Sequence, residues 1–547
     1  MPSTLYRNGV VHSPTDPFAE ALLVADGQVA WLGSEDTVHT VLDGVDEVIE
    51  LDGALVTPAF VDAHAHVLET GFALTGLDLS PAAGVTSLDA LLDAVGAAAT
   101  RARAVGASAP LLGRWWDETG WTEDRGPTAA ELDRATGGAP VHLLRADGAG
   151  AVVSGSFAEV AGCAGLPGWS PDGNVIGEAA RTARSAAHDV GDAARDELVE
   201  VALRAAAAAG IASIHEHSSA LLDTVEGLAR LLVLTADPAS GLPGVVGYRA
   251  AACETTDDVR RLLEAVPGLT GVIGQVDGSL AARGAALRSP YADLPRDHPW
   301  ATGRLELTAE EVANHVAAVS RAGLQAVLHV TGDRAMDEAL LGVRAACDVE
   351  GAAGVRGGGH RVEHADMVDA QALATLVLLG LNVGVQPALG AAWGGTGALY
   401  GRRLGAGRAA ALSPLADLAG AGVPLAFGSG APLTPFDPWA AVLAAISHQD
   451  PGQRISARAA FRAHTRGGWR AAGIHTGAGE IRLGAPATLA VWEAESLAVQ
   501  APDGRLAAWS TDPRAGTPLL PELGVGRPRP VCRRTLRDGV VLFDTFA

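Results

Sequence analysis

Histidine residues that could bind a metal ion lie at the ends of predicted strands. His64 and His66 are separated by one residue at the end of a strand-like run, residues 56–66. Strand alternation turns both imidazoles to the same face, so that they can bind one ion. His329 and His364 each end a later strand-like run. Imidazole nitrogens are common ligands of Zn²⁺, so the four residues predict a site for a divalent metal ion.

One of these ligands has a competitor in the same segment. His360, Val362 and His364 share one face of the predicted strand 360–364, so His360 could also supply the ligand. We prefer His364 because it lies nearer the carboxyl end of the strand.

Other polar residues at predicted strand ends could move protons. His215 and His217 share a strand face, and Glu216 points the other way. Asp277 ends a further strand-like run, where an inward carboxylate could also orient a substrate or bind a metal ion. Asp277, Glu216 and His215 are therefore the candidate proton acceptors, and the sequence does not rank them. For the His215 and His217 pair, contact with the metal ligands or the substrate is one interpretation, and a buried polar cluster is the other.

Three further residues are candidate substrate contacts: Trp115, Trp393 and Asp333. Aromatic rings such as that of Trp115 can line a pocket, but packing within its own segment is the competing interpretation.

The middle of the chain alternates helix patterns with short apolar runs. In one repeat, Thr308 and Glu311 form a capping box, apolar residues follow with helical spacing, and Gly323 ends the helix before another strand. The eight strand candidates are 56–66, 141–146, 211–217, 272–277, 326–329, 360–364, 381–386 and 425–429. This rhythm predicts the α/β class, with a (β/α)₈ TIM-like barrel whose strands converge at their carboxyl ends on an active site.

The ends of the chain have a different pattern. Short strand-like runs and turns fill residues 1–57 and 470–547, which predicts one composite β-sandwich built from both ends. Residues 58–469 then form the barrel. A segment of roughly 68–200 is predicted to be an insertion over one barrel face.

The composition limits the class of protein. A chain of 547 residues is too long for one core, and 48% hydrophobic residues exclude a disordered chain. A formal net charge of −23 argues against nucleic acid as a partner. There is no apolar run of about 20 residues and no secretory signal pattern, so we expect a cytoplasmic protein without a membrane span. A homodimer is left open.

Taken together, these segments resemble the amidohydrolase superfamily, specifically its YtcJ-like, N-substituted formamide deformylase-like branch. The matching segments are 57–66, 210–216, 277–279, 329–334, 360–364, 385–387, 428–432 and 437–439. The resemblance implies that His64 and His66 are ligands from the first strand, and His329 and His364 from the fifth and sixth. It also implies hydrolysis of amide-like C–N bonds in small molecules by metal-activated water.

The sequence departs from that family at two positions. A carboxylated lysine common on the fourth strand is replaced by Ile273, and the chain contains no lysine at all. The aspartate of the eighth strand is replaced by Gly430, which cannot accept a proton. We therefore expect one ion per chain and slowed turnover, since loss of a general base costs about 10²- to 10⁴-fold in rate. The alternative is a non-catalytic barrel that binds a metal ion or small ligand.

Overall fold

The chain divides into two units in the computed structural model, which describes residues 3–107, 109–148, 150–395, 397–501, 508–510 and 517–546. The barrel unit comprises Met1–Ala65, Leu203–Ser218 and Val225–Ala547. The inserted unit, which interrupts it in sequence, comprises His66–Ala202 and Ser219–Thr224.

The strands are, in chain order, β1 (Thr4–Arg7), β2 (Val10–Val11), β3 (Ala21–Ala25), β4 (Gln28–Gly33), β5 (Glu47–Glu50), β6 (Leu55–Pro58), β7 (Phe60–Ala65), β8 (Leu77–Asp78), β9 (Leu111–Trp116), β10 (Val141–Arg145), β11 (Ala151–Val153), β12 (Asn174–Val175), β13 (Ile211–Ser218), β14 (Gly244–Ala250), β15 (Gly271–Gln275), β16 (Gln325–Val330), β17 (Arg361–His364), β18 (Asn382–Val385), β19 (Leu425–Phe427), β20 (Leu489–Glu493), β21 (Leu497–Ala501), β22 (Ala508–Ser510), β23 (Leu520–Pro521), β24 (Val531–Arg537) and β25 (Val540–Asp544).

The α-helices are α1 (Val67–Thr75), α2 (Leu88–Ala104), α3 (Ala129–Thr136), α4 (Gly155–Ala161), α5 (Gly177–Ala187), α6 (Asp192–Ala208), α7 (Val225–Ala236), α8 (Thr256–Ala265), α9 (Ala309–Arg321), α10 (Asp333–Glu350), α11 (Ala352–Gly357), α12 (Ala370–Leu379), α13 (Pro387–Trp393), α14 (Leu399–Leu404), α15 (Ala406–Ala410), α16 (Leu415–Gly420), α17 (Pro438–Ile446), α18 (Ala457–Ala463) and α19 (Arg466–Ala471). Short 3₁₀ helices cover Glu35–Thr40, Pro81–Ala83, Pro238–Ser240 and Pro451–Gln453. No helix in the described ranges is both long and apolar enough to span a bilayer.

Eight parallel strands form the predicted barrel, in the order β7, β13, β14, β15, β16, β17, β18 and β19. The sheet closes where Ala65, at the end of β7, pairs with Ala431, just after β19. Gly430 and Ser429 reinforce this closure, since their amide groups donate to His64 O at 2.8 Å and to Asp62 Oδ1 at 2.9 Å. The (β/α)₈ prediction is confirmed.

One of the eight predicted barrel strands is wrong. Residues 141–146 correspond to β10, which lies in the inserted unit and pairs with β9 and β11. The barrel strand that the sequence did not predict is β14, which pairs with β13 and β15. Its sequence, Gly-Val-Val-Gly-Tyr-Arg-Ala, contains two glycines and an arginine, and therefore lacks the continuous apolar pattern typical of a buried parallel strand.

The capped repeat identified in the sequence has the predicted structure. Thr308 caps α9 by accepting a hydrogen bond from the Glu311 amide, and the Glu311 side chain returns the contact. The chain then turns at Gly323 (φ 75°) and enters β16. This repeat places His329 at the carboxyl end of a barrel strand.

Strands from both chain ends share a sheet, in the order β2, β6, β20, β24 and β25. A second sheet consists of β4, β3, β1 and β5, in that order, and all of these strands lie within residues 4–50. Apolar side chains of both ends, among them Tyr6, Val56, Leu489 and Leu536, form one buried cluster. The predicted bounds 1–57 and 470–547 stay a prediction, and residues 502–507, 511–516 and 547 of the second segment lie outside the described residues.

The inserted unit has a sheet of its own, in the order β12, β11, β10, β9 and β8. Helices α1 to α5 belong to the same unit. Its apolar core includes Leu91, Trp116, Leu132 and Leu143. The predicted insertion bounds of roughly 68–200 also stay a prediction.

Candidate metal centre

Three of the four predicted metal ligands lie together at the carboxyl ends of barrel strands. His64 comes from β7, His329 from β16 and His364 from β17. The ring centroids of His64 and His329 are 5.3 Å apart, and each lies 5.1 Å from that of His364. One ligand nitrogen from each ring lies within 4.8 Å of the other two. The parallel barrel has therefore brought distant histidines to one point.

The backbone at the end of β17 turns His364 toward this cluster. His364 and Ala365 have left-handed φ values of 71° and 47°. Such values are uncommon outside glycine and interrupt the alternation of a strand. Glu363 and His364, which are adjacent in sequence, consequently both approach His64. The predicted face shared by His360, Val362 and His364 is wrong for this reason.

His360 lies elsewhere. Its Nε2 is 2.9 Å from Ser320 Oγ on α9, and its Nδ1 accepts a hydrogen bond from the Ala326 amide at 2.9 Å. Both ring nitrogens thus bind neighbouring elements, and the choice of His364 over His360 agrees with the geometry.

Glu363 fixes the ring of His64. His64 Nδ1 donates to Glu363 Oε2 at 2.6 Å, so the neutral ring has its lone pair on Nε2. A carboxylate that accepts from one imidazole nitrogen while the other faces a metal is a frequent arrangement in metalloproteins. The other Glu363 oxygen, Oε1, accepts from Arg361 Nε at 2.7 Å. Glu363 and Arg361 are both fully buried.

Gln386 fixes the ring of His364 in the same way. His364 Nδ1 is 2.9 Å from Gln386 Oε1, and Gln386 Nε2 donates to Glu363 Oε2 at 3.3 Å. This amide orientation makes His364 Nδ1 the donor, which leaves Nε2 as the accepting nitrogen. Two of the three rings therefore have a defined nitrogen available for a metal ion.

His217 is a fourth histidine in the cluster. Its ring stacks on His64 with a centroid distance of 4.0 Å, and its Nδ1 is 3.1 Å from His329 Nε2. His64, His217 and Glu363 also meet the spacing of a ligand group. The sequence suggested a polar or substrate role for His217 and missed Glu363. Reading 361 and 363, rather than 360 and 362, as the inward positions of the strand would have revealed Glu363.

His215 lies deeper in the barrel. Arg361 Nη1 donates to His215 Nδ1 at 2.9 Å, and Arg361 lies over the Tyr248 ring. Burial, together with the Arg361 charge, lowers the pKa of His215 well below its usual value. The neutral ring must carry its proton on Nε2, because a guanidinium group can only donate.

The other two candidate proton acceptors are also buried. Both oxygens of Asp277 are occupied: Oδ1 accepts from the Thr331 amide at 2.9 Å, and Oδ2 accepts from the amides of Gly332 and Ala286 at 2.8 and 2.9 Å. Burial nevertheless raises the pKa of Asp277 to about 7. Glu216 lies on β13 between the two histidines and is 2% exposed.

The remaining predicted site residues lie in both units. His66 and Trp115 belong to the inserted unit, where His66 directly precedes α1 and Trp115 is a left-handed residue of β9 (φ 69°). In the barrel unit, the half-buried Trp393 ends α13 and packs edge-on against Tyr400. Asp333 begins α10 and accepts from the Arg288 amide at 2.8 Å. Their substrate and ligand roles stay predictions.

The two departures from the family pattern have clear structural surroundings. Ile273 is buried in an apolar cluster with Tyr248 and Val327. Gly430 has a left-handed φ of 70°, and a Cβ built there would lie 3.5 Å from Gln386 Cγ. Position 430 therefore faces the side chain that orients His364, and it has room for a larger residue.

Asp62 is a further buried carboxylate that the sequence did not single out. Its Oδ1 accepts from the amides of Ser429 and His64 at 2.9 and 3.2 Å, and its Oδ2 has no hydrogen-bond partner among the described residues. Burial is the main reason that its pKa is raised to about 6.

The donor set fits a Zn²⁺-type ion. Three imidazoles, two of them with ring orientations fixed by hydrogen bonds, match the ligand chemistry of such an ion. Bonds of about 2.1 Å in tetrahedral geometry place ligand nitrogens about 3.4 Å apart, so nitrogens that lie within 4.8 Å of one another would move closer together around an ion. His64, His329 and His364 would hold the ion.

A closed parallel barrel with histidines clustered at its strand ends defines a class of metal-binding barrel proteins, and sequence comparison places the chain within one family. The profile of the amidohydrolase family matches residues 47–543. The chain therefore belongs to the amidohydrolase family.

Individual relatives support the YtcJ-like branch. YtcJ of Bacillus subtilis, described as an amidohydrolase, is 26% identical over 79% of this chain and 82% of its own length. The N-substituted formamide deformylase of Arthrobacter pascens is 23% identical over 88% of this chain and 91% of its own. The protein LONG AFTER FAR-RED 3 of Arabidopsis thaliana is 25% identical, and the match spans 66% of this chain and 64% of that protein.

Solved structures agree with this assignment. A structure described as an uncharacterized metal-dependent hydrolase from Pyrococcus furiosus has a TM-score of 0.70 and 25% identity, and it covers 89% of this chain and 98% of its own. The family match and this neighbour together support a hydrolase.

Proposed function

We propose that this protein is a metal-dependent hydrolase of amide-like C–N bonds in small molecules such as formamides and N-acyl compounds. The observation that carries the proposal is the group of His64, His329 and His364, with two rings oriented by Glu363 and Gln386. A bound divalent ion would supply Lewis-acid polarisation of the substrate carbonyl and activation of water. The names of YtcJ and of the formamide deformylase support the same bond class.

We propose one Zn²⁺ per chain, with His66 as a fourth ligand. The chain has no lysine that could form a bridging carbamate, and Ile273, which stands at that position, cannot bind an ion. Glu363 is occupied by Arg361 on one oxygen and by His64 and Gln386 on the other, which supports an orienting role over a bridging one.

The proton acceptor in this proposal is one of Asp277, Glu216 and His215. The contact with Arg361 weighs against His215, because the lone pair of its Nδ1 already accepts a hydrogen bond. The absence of a carboxylate at Gly430 supports slowed turnover.

The second candidate function is a barrel that binds a metal ion or a small ligand without turnover. The substitutions Ile273 and Gly430 favour it, since both fall on positions that the family uses for catalysis. For either function we propose a cytoplasmic protein, with a homodimer left open. The net charge of −23 supports a partner other than nucleic acid.

Metal content and hydrolysis measured on the same samples test the proposal. We expect one ion per chain in the parent, loss of the ion in His64→Ala and His329→Ala, and unchanged binding in the control His39→Ala, whose side chain is exposed. N-substituted formamides and N-acyl compounds form the substrate panel. Two ions per chain would contradict the single site, and a fully loaded parent that hydrolyses nothing in the panel would favour the non-catalytic candidate.

A further inference from the structure

The inserted unit contains a buried group of charged side chains with no role in the metal centre. Arg114 on β9 donates to Glu69 Oε1 on α1 at 2.9 Å, and Arg184 on α5 contacts the same oxygen. Arg114 also donates to His188 Nε2 at 3.3 Å, just after α5. Glu69 and Arg114 are only 2% and 6% exposed.

The charges of this group do not balance. Two guanidinium groups carry +2 and Glu69 carries −1, which leaves the three side chains with a net charge of +1. The neighbouring imidazoles add nothing to this sum, because burial lowers the pKa of His188 to about 4 and that of His142 to about 3. A buried net charge is costly unless a partner of opposite sign accompanies it.

The same group has buried N–H donors that point to that partner. Arg184 Nε and His188 Nδ1 are both buried and have no hydrogen-bond partner among the described residues. Since Arg114 donates to His188 Nε2, the neutral ring carries its proton on Nδ1, which is therefore a donor. The ring of Phe72 stacks on His188 at 4.5 Å and holds its orientation. His142, 4% exposed, has a third polar atom without a partner, Nε2.

We propose that Arg184, His188 and Arg114 form a binding site for a small carboxylate anion. A carboxylate carries the single negative charge that the group lacks, and its two oxygens can accept from Arg184 Nε and His188 Nδ1. The Arg184 side chain is 19% exposed, so the group reaches the surface of the inserted unit at this residue. All residues of the site belong to the inserted unit, so the proposal does not depend on the reaction at the metal centre.

Acetate is the probe for this site. Isothermal titration calorimetry and thermal unfolding of the full-length, metal-loaded protein would compare sodium acetate with sodium chloride at equal ionic strength and with acetamide, its neutral isostere. Arg184→Gln removes the excess charge and the Nε donor, and His188→Phe removes the Nδ1 donor while keeping a ring for Phe72. Arg181→Gln is the matched control, because Arg181 is exposed on the same helix.

We expect acetate to bind the parent and Arg181→Gln equally, and to raise the Tm of both beyond the effect of chloride and acetamide. Arg184→Gln and His188→Phe should each bind acetate about tenfold or more weakly, since each loses a hydrogen bond to a charged partner. Without acetate, Arg184→Gln should melt no lower than the parent.

Three results would overturn the proposal. The first is a parent that binds acetate no better than acetamide. The second is acetate affinity in Arg184→Gln and His188→Phe within twofold of the parent, which would place the anion at the metal centre or elsewhere. The third is a lower Tm for Arg184→Gln in acetate-free buffer, which would make the group a closed ion pair.

Discussion

Replacement of Glu363 by glutamine should weaken both the fold and the metal site. Glu363 accepts hydrogen bonds on both oxygens, from Arg361 on Oε1 and from His64 and Gln386 on Oε2. An amide has only one accepting oxygen, so Glu363→Gln must present its NH₂ group to a donor on one side. The change also removes the negative charge beside Arg361, which is fully buried.

The magnitude follows from these contacts. Removing one partner of a buried ion pair costs about 3–5 kcal/mol, so the free energy of unfolding of metal-free Glu363→Gln should fall by that amount. Loss of a partner that orients a ligand costs about 10- to 100-fold in metal affinity, so zinc should bind correspondingly more weakly. Denaturant unfolding and competition with a zinc chelator measure the two quantities.

The double variant Arg361→Met/Glu363→Gln separates the two roles of Glu363. Without Arg361, the amide oxygen can accept from His64, and no uncompensated buried charge remains. We expect this variant to recover most of the stability and part of the zinc affinity. If Glu363 is itself a metal ligand, as the group with His64 and His217 would allow, zinc affinity should stay low. If the free energy of unfolding of Glu363→Gln lies within about 1 kcal/mol of the parent value and its zinc affinity within twofold, the expected roles of Glu363 are refuted.

Three further predictions follow from the strand ends. Gly430→Asp should restore a proton acceptor and raise turnover by about 10²-fold, whereas Gly430→Ala, which also places a Cβ on a left-handed backbone at a cost of about 1–2 kcal/mol, should not. Equal rates for the two variants, both folded and metal-loaded, would show that position 430 does not serve as the base. Gly428→Ala should destabilise by about 1–3 kcal/mol, since its Cβ would lie 2.4 Å from the His64 amide nitrogen, and a melting curve like that of the parent would contradict this steric argument. Folding raises the pKa of Asp277 from 3.8 to about 7, so the contribution of this group to stability is present below pH 4 and is lost as the pH rises toward 7. The free energy of unfolding should therefore fall by about 3 kcal/mol between pH 4.5 and 7. Asp277→Asn should abolish this pH dependence in denaturant titrations, and an unchanged dependence would assign it to another group.

The histidines at the strand ends were predictable from the sequence because short-range helix and strand patterns place them there. His329 follows a capped helix and a short apolar strand, and both elements have the predicted form. The set of strands that form the barrel was predictable only in part, because β14 contains two glycines, whereas β10 (Val-His-Leu-Leu-Arg) has strand-forming residues but belongs to the inserted unit. Whether a strand belongs to the barrel depends on the strands that it pairs with, and these are distant in sequence.

The sequence by itself determined the class of fold, the strand ends that carry histidine, and the absence of a lysine or an eighth-strand aspartate, because these depend on residue type and short-range periodicity. Only the tertiary structure decided which residues surround the cluster. The left-handed backbone at His364 breaks the period of two that sequence reasoning assumes, and it brings Glu363 and His364 to the same site. The contacts of Glu363 with His64 and Gln386 join residues far apart in the chain, and such contacts arise only when the barrel closes.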